Sequence, residues 1–274
     1  MARALHGIRE DQKEFIRLFD SFSGKHSRWQ IWSDFIILTA ISISNRVDLA
    51  HAEEREKTYM SLISKYEGDE PKLFGHLFAE MVKAMDREPD QDFLGELYMA
   101  CNLGNDHAGQ FFTPYNICEM MAEMQVDSAK EKIEKQGYVA VNDPTCGAGA
   151  LLVAFANRCM KHGIDFQNRI LFTAQDIDYV VGCMCYIQLS LMGCAGHVTI
   201  GDTLCNPQTY YDTKGLFPRN EENIWYTPMF FSEVWHWRRV WTKADLVVAG
   251  LMPRTQESGK LDTCPLLEME EPHG

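Results

Sequence analysis

The stretch Asn142-Asp143-Pro144-Thr145-Cys146-Gly147-Ala148-Gly149-Ala150 follows the apolar run Val139-Ala140-Val141 and precedes an apolar segment of helical spacing, Leu151 to His162. A strand that enters a small-residue turn and then a helix is a nucleotide-binding device. The glycines let the backbone approach a ligand, and the helix N-terminus offers free N–H groups. Two acidic turns follow, Gln175-Asp176-Ile177-Asp178 and Gly201-Asp202. A carboxylate at the end of the next strand can accept hydrogen bonds from both ribose hydroxyls. Upstream lies Gly109-Gln110-Phe111-Phe112-Thr113-Pro114-Tyr115. A nicotinamide or flavin dinucleotide suits the turn poorly: Gly147 and Gly149 match its glycine fingerprint, but Leu152 stands where the third glycine belongs.

In this order the segments resemble the adenine-specific (N6) DNA methyltransferases, in particular the modification subunit of type I restriction-modification systems, over residues 74–204. The resemblance implies an α/β fold, the Rossmann-like parallel sheet of S-adenosylmethionine-dependent methyltransferases, preceded by an α-helical N-terminal region. It implies S-adenosyl-L-methionine as cofactor. Gln110, Phe111, Phe112, Thr113, Pro114 and Tyr115 would wrap its methionine end. Asp143, Gly147, Ala148, Gly149 and Ala150 would line its middle, Asp176 would hold the ribose, and Asp202 would sit near the adenine amino group. On this reading Gly149→Val fills space that a closely approaching ligand needs.

The family's Asn/Asp-Pro-Pro-Tyr/Phe signature, expected at the end of the fourth strand, is missing. The equivalent strand is expected at Ala244-Asp245-Leu246-Val247-Val248-Ala249, which runs into Gly250-Leu251-Met252-Pro253. Asn206, followed by Pro207, is the nearest match and the weak candidate for the catalytic polar group. Two functions follow. One is adenine N6 methylation of DNA in a restriction-modification or mobile-element setting, with the target base flipped into a pocket. The alternative is a catalytically deficient cofactor-binding subunit that acts only with a partner.

The 274 residues carry a formal net charge of −13. Phosphate contacts need Lys and Arg, so DNA is expected to be held through a separate specificity or partner subunit. The nine cysteines are odd in number and irregularly spaced, which points to reduced, buried thiols, and no metal site is expected. The longest apolar run, Phe35 to Ile41, is too short to span a bilayer, and Met1 to His6 has no signal-peptide pattern. The expectation is a cytoplasmic protein with no membrane contact.

Three regions are expected: helical residues 1–104, a methyltransferase-like cofactor-binding domain over 105–256, and a flexible acidic tail over 257–274. Helices are read at Asp11–Phe22, Ile31–Ile43, His51–Tyr66, Leu73–Met85 and Asp92–Cys101, with a hinge at Leu103–His107. Thr113 is a candidate N-cap for a helix reaching about Met124, a role that competes with a cofactor contact. Strands at Val139–Asn142, Ile170–Ala174 and His197–Ile200 alternate with helices, as in a parallel, doubly wound sheet, here C-terminally truncated after its fourth strand. Its open edge would need a cover, from the aromatic segment or from an oligomer partner. Residues 205–243 interleave rings with Arg238, Arg239 and Lys243. They form either a nucleotide-stacking surface or an amphipathic helix, Met229–Trp241, packed on the sheet.

Overall fold

The structure is a computed structural model. It describes residues 8–22, 24–101, 103, 112–209, 212, 214–218 and 223–248. The N-terminal region is helical: α1 (Lys13–Phe19), α2 (Arg28–Ser44), α3 (Ala52–Ile63), α4 (Glu70–Arg87) and α5 (Phe93–Ala100). Ser27 starts α2 by accepting from the Gln30 N–H, one of the four free donors at a helix start. Phe15, Phe19, Trp32, Phe35 and Phe93 bury their rings together, edge against face, with Phe15 and Phe35 centroids 5.4 Å apart. This aromatic core packs through α2 onto the second half of the chain.

That half contains α6 (Tyr115–Gln136), β1 (Val139–Asp143), α7 (Ala150–Lys161), the single turn α8 (Phe166–Arg169), β2 (Ile170–Asp176), α9 (Tyr179–Leu191), β3 (Ala195–Ile200), β4 (Ile224–Tyr226) and α10 (Glu233–Val248). The sheet order is β1-β2-β3-β4. β1 and β2 run parallel with Val139 opposite Ile170, and β2 and β3 run parallel with Leu171 opposite Ala195. Parallel strands joined by helices are covered on both faces, and β2 is accordingly buried from Ile170 to Gln175. α9 is apolar nearly all round and almost wholly buried, held between the sheet and α2.

The structure corrects the expected sheet at its fourth strand. Ala244–Val248 is the last turn and a half of α10, not a strand, and Ala249 to Pro253 lie outside the described residues. The reason is anchorage upstream. Trp235 is fully buried and its Nε1 donates to the Gln167 carbonyl at 2.8 Å, while Arg238 donates to the Asn168 and Gly137 carbonyls. A helix fixed there extends through Ala244 and Leu246 more cheaply than a new strand can be nucleated.

The fourth strand is Ile224–Tyr226, and it is antiparallel to β3, so the sheet is mixed. The chain leaves β3 and returns at the same end, where the Ile200 N–H donates to the Asn223 carbonyl at 2.9 Å. A return at the same end fixes the direction as antiparallel. The expected helix Met229–Trp241 is likewise divided into a 3-10 turn, Pro228–Phe231, and α10. The expected hinge beyond Leu103, the 104/105 boundary and the tail 257–274 lie outside the described residues. No helix among the described residues is long and apolar enough to cross a membrane.

Candidate cofactor site

The glycine turn connects β1 to α7 and is tied to the end of β2. The Thr145 N–H donates to Asp143 Oδ1 at 3.2 Å. The Cys146 N–H donates to the Gln175 carbonyl at 3.0 Å, extending the parallel pairing beyond the strand. Gly147 (φ +54°) donates its N–H to Asp176 Oδ2 at 2.9 Å. The other carboxylate oxygen of Asp176 accepts from the Asp178 N–H at 3.0 Å. Asp176 therefore clamps both loops at the C-terminal edge of the sheet. Among the described residues each oxygen accepts one hydrogen bond, and a carboxylate oxygen can accept two, so capacity to accept from a diol remains.

The two glycines of the turn face different neighbours. A Cβ on Gly147 would lie 3.3 Å from the Phe112 ring. A Cβ on Gly149 (φ +94°), the residue preceding α7, would lie 2.8 Å from Cys185 Sγ and 3.3 Å from its Cα. Gly147 thus opens the cleft to a ligand, while Gly149 lets α7 approach α9. Phe112 is positioned from the helical region: its ring sits 5.2 Å from that of Tyr98, which packs on Trp29 and Trp32.

Phe112, Thr113, Asp143, Gly147, Ala148 and Ala150 come together around a cleft of about 200 Å³. Its remaining wall is formed by Cys118, Met121, Thr145, Cys146 and Leu151, none of which the sequence reading placed as ligand contacts. Cys118 and Met121 lie one to two turns into α6, where helical spacing from Pro114 could have indicated them. The Cys146 thiol hydrogen-bonds to Cys185; that bond and burial hold it well above its ordinary pKa, so it is an inert filler. Roomier clefts of 510 Å³, among α4, α7, α8 and α9, and 460 Å³, beside β1, do not contain the Gly147–Gly149 turn.

Among the described residues the lining contains no Lys or Arg. Burial pushes the Asp143 carboxyl above its ordinary range, the Thr145 N–H offsets part of this, and repulsion from Asp176 adds to the rise. A buried carboxylate beside a second one favours a cationic ligand. The cleft lies below the roughly 300–1,000 Å³ usual for small-molecule pockets. Gln110 and Phe111 lie outside the described residues.

Other expected contacts are turned elsewhere. The Tyr115 hydroxyl donates to Asp90 Oδ1 at 2.7 Å and packs beside Asn157. Pro114 occupies the N-cap of α6 and Thr113 does not cap it, so the capping role expected of Thr113 is corrected; α6 runs on to Gln136, well past Met124. Thr113 lines the cleft. Asp202 accepts from the N–H groups of Leu204 and Cys205 and lies below its ordinary pKa, chiefly through a hydrogen bond from the Cys205 thiol. That loop reaches the turn through Thr203, whose hydroxyl donates to the Pro144 carbonyl at 2.5 Å. Asn206 belongs to it, with its carbonyl held by Gln175 Nε2 at 3.0 Å.

A buried polar clamp beneath the turn escaped the sequence reading. Gln188 of α9 is fully buried. Its Nε2 donates to the Ala148 carbonyl and to Asp92 Oδ1, each at 2.8 Å, and its Oε1 accepts from the Leu94 N–H at 3.2 Å. Asp92 Oδ1 also accepts from the Gly95 N–H, capping α5. One amide thus joins the helical region, α9 and the glycine turn. Its signal was legible: Gln188 is a lone amide in an apolar helix.

Burial pushes Asp92 up to about 6, although Gln188 and Gly95 pull it down. A carboxyl whose folded pKa is raised stabilises fully below its unfolded value and loses that contribution as pH rises through the folded value. Wild-type stability relative to Asp92→Asn is therefore expected to fall between about pH 4 and pH 6 and to level off above. Thermal melts of both proteins across that range check this; a rise in the same window would show that the hydrogen bonds outweigh burial.

The aromatic segment is mainly core. Trp225, Tyr226, Phe230 and Trp235 are buried, the Arg238 guanidinium lies 4.4 Å from the Trp235 ring centroid, and Arg239 lies 4.0 Å from that of Phe230. Both arginines also donate to backbone carbonyls, which removes them from a stacking-and-phosphate surface.

No curated protein matches the chain. The family model described as N-6 DNA methylase matches residues 90–256, a span that runs from the Asp90 and Asp92 contacts through the turn, the Asp176 clamp and α10. The turn, its acidic clamp and the matched span agree, and the chain belongs to the N-6 DNA methylase family.

Proposed function

We propose that the chain binds S-adenosyl-L-methionine in the acidic cleft above the Gly147–Gly149 turn and serves adenine N6 methylation of DNA. The observation that carries this reading is the Asp176 carboxylate, fixed by the Gly147 and Asp178 N–H groups beside a cleft that is walled by Asp143 and, among the described residues, free of Lys and Arg. The family uses this cofactor, which supplies a methyl group on a positively charged sulfur. Asp143 and Asp176 favour that charge, Asp176 accepts from the ribose, and Phe112 and Thr113 close the cleft on the α6 side. Asn206, in the loop that Thr203 ties to the turn, is the polar group proposed to face the target amine.

A second reading rests on two sequence facts. The 274 residues contain no Asn/Asp-Pro-Pro-Tyr/Phe segment, and the net charge is −13. On that reading the chain holds the cofactor while a partner subunit supplies DNA contact and the adenine pocket, in a restriction-modification or mobile-element setting.

Asp176→Ala is expected to weaken cofactor binding roughly 10- to 100-fold, because hydrogen bonds to a charged group are worth about 1.5–3 kcal/mol. Calorimetric titration with S-adenosylmethionine and S-adenosylhomocysteine tests the whole reading. The acidic cleft should prefer the sulfonium form. Wild type that binds neither compound, or Asp176→Ala that binds as wild type does, refutes the site. Methylation of adenine-containing DNA by the chain alone, compared with chain plus partner, separates the two readings.

A further inference from the structure

The 510 Å³ cleft among α4, α7, α8 and α9 falls within the roughly 300–1,000 Å³ usual for small-molecule sites. It shares no described lining residue with the cofactor cleft. Its apolar wall is rich in sulfur and includes Met85, Met160, Met192, Leu191 and Phe166. Thioethers are deformable and pack favourably against aromatic rings, so this wall suits a flat aromatic body.

Two sets of polar groups meet that wall. Asn157 of α7 lines the cleft and is fully buried. Its Nδ2 donates to the Pro89 carbonyl at 2.9 Å and to the Val153 carbonyl at 3.1 Å. Both partners can only accept, so the amide cannot be turned round. Its Oδ1 is left buried with no hydrogen-bond partner among the described residues. A buried acceptor in that state is costly, and a ligand N–H would relieve it. The second set is a pair of exposed carboxylates, Asp86 and Asp165, which also line the cleft. Each Asp165 oxygen accepts one bond from Asn168 and has room for another. Among the described residues no Lys or Arg lines this cleft, so its field favours a cation.

We propose that this cleft binds a small aromatic amine with an N–H on its ring, the ring lying against the methionines, the ring N–H donating to Asn157 Oδ1 and the ammonium facing Asp86 and Asp165. Anionic ligands, nucleotides among them, are disfavoured by the same two carboxylates. The site is independent of the cofactor reading.

Calorimetry and thermal melts of the full chain with tryptamine test it. Tryptamine is expected to bind and, at about ten times its Kd, to raise the melting temperature by roughly 3–5 °C. Two analogues probe the polar ends without altering the protein. The benzothiophene analogue replaces the ring N–H by sulfur and should bind roughly ten-fold more weakly, since Asn157 Oδ1 stays unpaired. Indole propionate reverses the charge and should not bind. Met160→Trp fills the cleft from a position 48 % exposed, so it should keep the wild-type circular dichroism and lose tryptamine binding. Asp86→Lys should weaken binding roughly five-fold. Absence of tryptamine binding overturns the proposal, as does equal binding by either analogue or by Met160→Trp. Displacement of tryptamine by S-adenosylmethionine would place the probe at the glycine turn and overturn it too. Wild type that binds tryptamine but not S-adenosylmethionine would support this site while the cofactor reading fails.

Discussion

Gly149→Val is expected to destabilise the protein by about 3 kcal/mol or more, combining left-handed backbone strain with overpacking, each worth roughly 1–3 kcal/mol. Gly149 has φ +94°, a conformation that a β-branched residue adopts only under strain. Its Cβ would stand 2.8 Å from Cys185 Sγ and 3.3 Å from the Cys185 Cα. The sulfur can shift a little, but the backbone of a buried helix cannot. The melting temperature should drop by roughly 6 °C or more for a chain of this size. Cofactor binding would be lost with the turn rather than by occlusion, which replaces the expectation that Gly149 clears space for a ligand. Gly147→Ala is the informative contrast. Its φ of +54° lies in the region that other residues visit at modest cost, and its Cβ would meet the Phe112 ring at 3.3 Å. That variant should stay folded and lose affinity. Equal melting of wild type and Gly149→Val would refute the close packing of α7 on α9.

The parts of the fold legible in the sequence were those whose local signal agrees with their tertiary role. The run Val139-Ala140-Val141, the glycine turn and the apolar α7 agree at every level, and β2, α9 and β3 follow suit. Ala244–Val248 misled because Val247-Val248 favours a strand in isolation, whereas the anchor that makes it helical is the burial of Trp235 nine residues earlier. Ile224–Tyr226 was not recognised because three residues carry no usable periodicity, and its pairing depends on where the chain returns to β3. Within the site, residue types were readable but directions were not. Asp143 lines the cleft and Asp176 ties the two loops beside it, whereas the Tyr115 hydroxyl turns to Asp90, a residue twenty-five positions upstream. Sequence spacing cannot show such a contact.

The acidic character of the chain has a local counterpart. Asp143 in the cleft is repelled by Asp176 beside it, and among the described residues no Lys or Arg lines the wall to relieve it. A cofactor with a positive sulfur relieves that repulsion, whereas DNA phosphate would add to it. On the proposed cofactor reading, the same carboxylates that favour a positive sulfur would repel DNA phosphate.

Gln188→Leu is expected to be the costliest change beneath the site, because one amide satisfies three buried groups at once. Its removal leaves the Ala148 carbonyl and the Leu94 N–H without that partner and deprives the buried Asp92 carboxylate of a donor. Leaving a buried polar group unsatisfied costs about 1–3 kcal/mol, and more where it is charged. Over the three groups the total is then roughly 3–9 kcal/mol, a large part of the 5–15 kcal/mol that holds a typical domain together. Asp92 should respond by taking up a proton more readily, so the deficit of Gln188→Leu relative to wild type should shrink below pH 6. A double-mutant cycle isolates the clamp. Adding Asp92→Asn to Gln188→Leu removes the stranded charge, so the double variant should be more stable than the sum of the two single effects predicts. Denaturant unfolding of the four proteins at pH 7 and pH 5 measures both terms. Additive losses that do not depend on pH would show that Gln188 merely fills space. A positive coupling that fades at low pH would establish that the helical region and the glycine turn are joined through this one side chain.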